Sequence, residues 1–512
     1  MAAMLHQYDY IFAITTILSF LDAWNIGAND VANSFATSVS SRSLTMKQAM
    51  AIAAVAEFSG SVAVGSRVTD TLRNKIIDPH LYDAQPSVLL LVMMCAIFGS
   101  SVFLSVATRS GLPVSTTHSI IGGLVGAATA SVGIRSVSWG WDGVSQVFAA
   151  WVVAPGLSGL LGALLFLVTK RFVLTKTNAV RNAFFTIPFY TFLTFAALTT
   201  VFLLPYLWRK IIDEDWELEW AMMWRGPWLL GRPPPSLPPV GVPRVNIKDY
   251  YRGHLTADEL AYVRASEALL ESIQSSHTAS ELFKNDGPPV VAPPTLSFPD
   301  TMIAPTNSLP VLGWRLNRVL LRGDIADMHA RAPHYDNRAE YMYSSLQILT
   351  ASAASFIHGA NDVANSIGPF ATAYDIWCTG RVDTYVGVPI WILCFGGGAI
   401  VLGLLTYGYH VMRNLGNRLT LISPSRGFCM ELASAITVMM ATKLALPVST
   451  TQCIAGATVG VGLANGDWRC INPRLVAWIY FGWFITVPVA GLLSGSLMAL
   501  ILNTPRWEDS VV

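Results

Sequence analysis

The sequence predicts an all-α, polytopic membrane protein built from two related halves. Three observations carry this. Hydrophobic residues make up 53% of the 512-residue chain and charged residues only 13%, about half the charged share of an ordinary soluble domain. The apolar residues fall in long continuous runs, as membrane helices require, rather than in the short alternating segments of an outer-membrane barrel. The octapeptide GANDVANS occurs at 27–34 and again at 359–366, and LPVSTT follows it both times, at 112–117 and 446–451. The copies are offset by 332 residues (27 to 359) and 334 residues (112 to 446), so order and spacing are both kept. That is the mark of duplication.

Candidate spans, in order, are 8–25, 46–65, 88–108, 112–132, 144–169, 184–208, 343–372, 387–408, 428–445, 447–464 and 475–502. Region 28–40 reads as a second half-helix beyond Gly27, which gives ten to twelve apolar segments. The first run follows MAAMLHQYDY, which has no basic n-region, and so reads as a retained span rather than a signal peptide. The runs at 112–132 and 447–464 open on LPVSTT. Between Trp208 and Tyr341 the chain turns polar, through IIDEDWELEWAMMWRG and GRPPPSLPPVGVP. Residues 256–275 suit an amphipathic helix, and 287–310 are rich in Pro, Ser and Thr. A partly disordered linker describes this segment better than a regulatory module. The expected organisation is a first membrane repeat (1–170), a connecting membrane helix region (171–208), a polar loop (209–340), a second repeat (341–504) and a tail (505–512).

Loop charges indicate how the halves are related. Arg42 and Lys47 follow the first octapeptide without an acid, whereas Asp375 and Asp383 outnumber Arg381 after the second. The positive-inside tendency puts these loops on opposite sides, making the repeats inverted. Five runs separate the octapeptide-bearing spans, which as simple crossings would give both the same orientation. One run is therefore re-entrant, or two merge, and the LPVSTT regions are the candidates. The basic loops Lys170–Arg181 and Arg413–Arg426 read as cytoplasmic. Net charge is +1, and no basic cluster is long enough for nucleic acid. Six cysteines form no CxxC pair, so neither zinc nor a disulfide framework is indicated, and no organic cofactor is expected. The chain is not expected to be an enzyme.

Within the octapeptides, Asn29, Asp30 and Asn33, and equally Asn361, Asp362 and Asn365, are polar groups that lipid tolerates only in a protected cavity. Gly27 and Gly359 allow the helix to break or another backbone to approach. Exposed carbonyls, amide oxygens and one carboxylate would make a hard-cation site suited to Na⁺. The alternative is a set of interhelical clasps, which has no need of two acids. In LPVSTT, proline starts a helix and Ser115, Thr116 and Thr117 fall where first-turn N–H groups are unpaired. Ser449, Thr450 and Thr451 repeat the pattern. Hydroxyls at a positive dipole end cradle an anion, although a plain helix cap uses the same residues. Phosphate brings a proton that can donate to Asp30 and Asp362, which sulfate lacks at neutral pH. His358 precedes the second octapeptide where Ile26 precedes the first, and a proton-sensitive or gating role competes with simple hydrogen bonding. His118 and Gln452 likewise differ between the halves. Glu57 and Glu431 are isolated acids in apolar runs, suited to ion coordination or to a structural pair.

The paired GANDVANS and PVSTT motifs resemble those of the inorganic phosphate transporter family, most closely its fungal sodium-coupled plasma-membrane members. The resemblance covers both membrane halves and excludes most of 209–340. It implies inverted repeats, broken helices with re-entrant hairpins, about twelve membrane helices, a cytoplasmic central loop and a homodimer in the lipid bilayer. It also implies that Asp30 and Asp362 are the essential aspartates, Glu57 and Glu431 the membrane glutamates, and His358 the histidine before the second motif. Ser115, Thr116, Thr117, Ser449, Thr450 and Thr451 match the phosphate-binding hydroxyls. The expected activity is Na⁺-coupled symport of inorganic phosphate by alternating access. The alternatives are a proton-coupled transporter of phosphate or of another oxyanion such as sulfate, and a phosphate sensor that does not transport.

Overall fold

In the computed structural model of the protein, residues 5–141, 143–213, 250–252, 325–383, 386–408, 411–412, 415–443 and 446–504 are described. The expected amphipathic helix at 256–275, the 287–310 segment and the tail lie outside these residues. The described residues belong to one compact unit formed by the chain on either side of 254–323. They are helical, and only two isolated β-bridges occur among them, Ile77 with Val137 and Thr420 with Ile471.

In the first half the helices are α1 (Asp9–Ser40), α2 (Met46–Ile76), α3 (Pro86–Arg109), α4 (Thr116–Val132) and α5 (Val144–Thr169), and α6 (Ala179–Asp213) follows. After the short α7 (Ile325–Ala330) come α8 (Asn337–Thr379), α9 (Ile390–Tyr407), α10 (Pro424–Lys443), α11 (Thr450–Leu463) and α12 (Pro473–Asn503). Seven helical stretches among the described residues are long and apolar enough to cross a membrane, fewer than the apolar runs read from the sequence. α4 and α11 are too short, at 17 and 14 residues, and α8, though 43 residues long, is not among the seven.

One expectation is corrected. α1 and α8 run through their octapeptides without a break, so Gly27 and Gly359 do not free carbonyls for a cation. Nor is 28–40 a second half-helix. The glycines serve close packing instead. A Cβ on Gly27 would collide with the Ile400 carbonyl of α9, and one on Gly359 with the Glu57 carbonyl of α2. Gly403 meets Trp24, and Gly60 meets Phe356, in the same reciprocal way. The helical path is interrupted instead at LPVSTT. The chain leaves α3 at Arg109 and resumes helix only at Thr116, with Ser115 extended (φ −87°, ψ 114°), and α10 and α11 repeat this around Ser449 (φ −95°, ψ 126°).

Packing exchanges the halves. α1 packs on α9 as α8 packs on α2, and α4 packs on α12 as α11 packs on α5. In the latter pairs, added methyls at Gly122 and Gly126 would strike Val487 and Gly491, and at Gly456 and Gly460 would strike Pro155 and Gly159. Such small-residue seams let helix backbones touch where no hydrophobic force is available. The two octapeptide helices run antiparallel: Phe12 stacks on Trp377, Ser19 meets Ser366, and Asp30 meets His358.

Candidate functional site

The crossing of α1 and α8 places both aspartates at the centre of the unit. Asp30 and Asp362 are buried, as are Asn33 and Asn365 one turn further along each helix. The two hairpin tips close over them. Ser115 caps α4 by accepting a hydrogen bond from the His118 N–H (3.1 Å), and Ser449 caps α11 through the Gln452 N–H (3.4 Å). These serines hold the helix starts in place, which is the plain-cap function. Their threonine neighbours turn toward the acids.

Thr116 donates to Asp30 Oδ2 (2.9 Å), and Thr451, from the other hairpin, donates to Asp30 Oδ1 (3.1 Å). Thr450 donates to Asp362 Oδ2 at 2.8 Å. The asparagines reach across the halves. The Asn33 amide donates to Thr450 and Thr451 (3.2 and 2.8 Å), and Asn365 donates to Thr116 and Thr117 (3.2 and 3.1 Å). The buried Asn33 Oδ1 has no hydrogen-bond partner among the described residues.

His358 joins three carboxylates. Its Nε2 lies 2.9 Å from Asp362 Oδ2 and 3.5 Å from Asp30 Oδ2, and its Nδ1 lies 2.6 Å from Glu57 Oε2. Ser355 donates to the remaining Glu57 oxygen at 3.0 Å. One ligand atom each of Asp30, His358 and Asp362 lies within 4.8 Å of the others, a spacing that suits a single cation. Written as ionised groups, the three carboxylates and one imidazolium leave an excess of negative charge. Bound cations or protons must balance it in a site this dry.

The remaining expected residues take other places. The Asn29 amide donates to Thr108 Oγ1 (3.0 Å) and the Leu112 carbonyl (3.1 Å), and its Oδ1 accepts from the Val114 N–H (3.1 Å). Asn29 is therefore a clasp that positions the first LPVSTT segment. Asn361 donates to Asp362 Oδ1 (2.8 Å) from a partly exposed position. Glu431 forms a second centre with its own ring of donors: Thr37 (2.5 Å), Ser38 (2.8 Å) and Gln347 (3.3 Å) on Oε1, and Thr350 (2.5 Å) on Oε2. Those four partners were not singled out from the sequence. Thr37 and Ser38 lie just past the first octapeptide, but hydroxyls in an apolar helix give no directional signal. A small cavity lined by Met93, Ile120, Leu124, Asn365, Gly368, Pro369 and Thr372 adjoins the main centre.

A lipid-embedded helical bundle that joins two exchanged halves around one buried, hydroxyl-lined acidic centre defines a membrane protein of the solute-carrier class. The profile of the phosphate transporter family matches residues 26–494. The chain belongs to that family. It is 47% identical to the phosphate-repressible phosphate permease pho-4 of Neurospora crassa, over 99% of this chain and 100% of that protein. It is 33% identical to a putative phosphate permease of Pyrococcus horikoshii, over 96% and 97%. Among solved structures it resembles one titled the sodium-dependent phosphate transporter, with TM-score 0.67 and 29% identity over 97% of this chain and 100% of the other.

Proposed function

We propose that the protein is a Na⁺-coupled symporter of inorganic phosphate in the plasma membrane, working by alternating access. The observation that carries this reading is the triad of Asp30, Asp362 and Glu57 around His358, faced by threonines at two helix N-termini. An anion cannot approach three carboxylates unless cations enter with it, so cation and anion loading are linked by charge alone. The sodium-dependent neighbour and the phosphate permease relatives support Na⁺ and phosphate as the pair.

Asp30, Asp362, Asn33, Asn365 and Glu57 are assigned to Na⁺. Thr116, Thr117, Thr450 and Thr451 hold phosphate on the helix starts that Ser115 and Ser449 cap, and a phosphate hydroxyl donates to Asp30 or Asp362. Asn29 and Asn361 position these groups. Glu431, with its four donors, is a separate Na⁺ position. Inverted repeats fit the antiparallel crossing of α1 and α8, and the homodimer belongs to the same reading. The test is uptake of radiolabelled phosphate into vesicles under separate Na⁺ and H⁺ gradients. Accumulation driven by Na⁺ is expected. Accumulation under neither gradient would leave a sensor, and accumulation under H⁺ alone a proton-coupled carrier. Asp30→Asn and Asp362→Asn are expected to lower Na⁺-dependent uptake at least 10-fold with normal membrane insertion.

A further inference from the structure

Asp22 takes no part in the centre just described. It sits on α1 two turns before Asp30, roughly 12 Å along the helix, and is completely buried. Neither carboxylate oxygen has a hydrogen-bond partner among the described residues. The Ser100 hydroxyl, completely buried and also without a hydrogen bond at ordinary distance among the described residues, faces Asp22 where α3 packs on α1. Polar neighbours on α1 are committed elsewhere. The Asn25 amide donates to the Leu21 carbonyl, Ser101 and Ser105, and Ser19 pairs with Ser366 of α8 at 3.1 Å. His358, the base of the Asp30–Asp362 centre, is itself held by Glu57 and Asp362.

We propose that Asp22 anchors an additional Na⁺ site between α1 and α3, separate from the Asp30–Asp362 centre, with the Ser100 hydroxyl as a second ligand. A carboxylate at membrane depth is tolerated only with a counter-charge, and a carboxylate beside a hydroxyl is a hard-oxygen set suited to an alkali cation. The repeat equivalent of Asp22, 332 residues on, is Ala354. The extra site therefore belongs to the first half alone. Along α1 it lies on the opposite side of Asp30 from Thr37 and Ser38, which hold Glu431. Na⁺ positions thus flank the centre on both sides.

This inference rests on the Na⁺ symport reading and is tested on the full-length protein in proteoliposomes, with Na⁺ and phosphate uptake measured together. Asp22→Asn is expected to lower the Na⁺ taken up per phosphate by about one and to raise the half-saturating Na⁺ concentration about 10-fold. Half-saturation by phosphate at saturating Na⁺ should not move. Ser100→Ala, a mild change that guards against misfolding of the first variant, should shift Na⁺ half-saturation about threefold in the same direction. Unchanged Na⁺ dependence in both variants overturns the site. So does a changed pH profile with Na⁺ dependence intact, which would make Asp22 a proton carrier. If the wild type shows no Na⁺-driven uptake, the symport reading fails by itself. The Na⁺-dependent rise in melting temperature of the purified protein then decides the site: it is expected to shrink in Asp22→Asn, and an equal rise overturns it.

Discussion

Three carboxylates share one imidazole at the centre of this molecule, so His358 is the residue on which most of the local geometry depends. Replacing it with alanine leaves Asp30, Asp362 and Glu57 facing one another without a bridging donor. A buried charge that loses its partner is strongly destabilised. His358→Ala is therefore expected to reduce phosphate uptake at least 10-fold and to raise the Na⁺ needed, measured as Na⁺ activation curves in vesicles. An unaltered curve would remove His358 from the centre. Asn29 makes a different prediction. Asn29→Ala leaves the Val114 N–H and the Leu112 carbonyl without their clasp, at a cost of about 1–3 kcal/mol. Because this loosens the α4 start rather than the cation ligands, half-saturation by phosphate should rise more than that by Na⁺. Uptake titrations of each solute check the split. The paired acids, amides and threonines were legible in the sequence because duplication marked them twice. Asp22, which lies outside both repeated motifs, was not marked in this way, and the donors around Glu431 are ordinary hydroxyls on apolar helices.

At the scale of elements, the repeat pattern foretold two sets of helices, and the boundary of α5 at 144–169 was readable from hydropathy alone. The break at LPVSTT was readable too, since its proline marks a helix start; what the octapeptide glycines do was not. Gly27 and Gly359 were as consistent with an opened helix as with a tight crossing, since glycine permits both. Only tertiary contact separates the two, and the carbonyls of Ile400 and Glu57 occupy the space that a side chain would need. Gly27→Ala and Gly359→Ala are thus each expected to destabilise the protein by about 1–3 kcal/mol, as overpacking does, and by similar amounts because the crossings are equivalent. Thermal unfolding of the solubilised variants checks this. A stabilised Gly27→Ala would mean that helix propensity outweighs the contact. At the start of α8, Asp336 accepts from the Arg338 N–H (2.9 Å), and the Arg338 guanidinium pairs with it and holds its carboxyl below the usual range. Its contribution is present above the ordinary aspartate range and is lost as pH falls through the lowered value. Removal of the cap in Asp336→Ala should cost about 1 kcal/mol, read as a fall in melting temperature at pH 7 that narrows in acid.

Over the whole molecule, the polar segment between the halves is tied to the bundle at several described points: His329 meets the Asn417 carbonyl (2.7 Å), the Pro333 carbonyl accepts from Arg426 (2.6 Å), and Tyr251 docks beside them. Tyr251 is buried, donates to Glu340 Oε1 (2.8 Å) and accepts from the Tyr335 N–H (2.9 Å), and its ring stacks on His334. Glu340 in turn accepts from the Ser425 N–H and hydroxyl at the start of α10. Burial and the Glu340 carboxylate hold the Tyr251 hydroxyl above its usual pKa range, so it remains a donor throughout the working pH. Tyr251→Phe should cost about 1–3 kcal/mol without changing the Na⁺ requirement, and melting curves beside uptake assays distinguish those effects. This tether had no sequence signature, since a lone tyrosine in a polar loop does not reveal what it docks against.

The cross-reaching amides of Asn33 and Asn365 carry a consequence for how the halves depend on each other. Each half supplies an asparagine whose threonines belong to the other half, and Asp30 takes one hydroxyl from each hairpin. A single half could not close the centre, so a chain of that size would complete it only as a pair. Because one chain carries both halves, the halves are free to differ: His358 stands where the first half has Ile26, and Asp22 where the second has Ala354. The centre thus needs both halves while asking a different contribution of each.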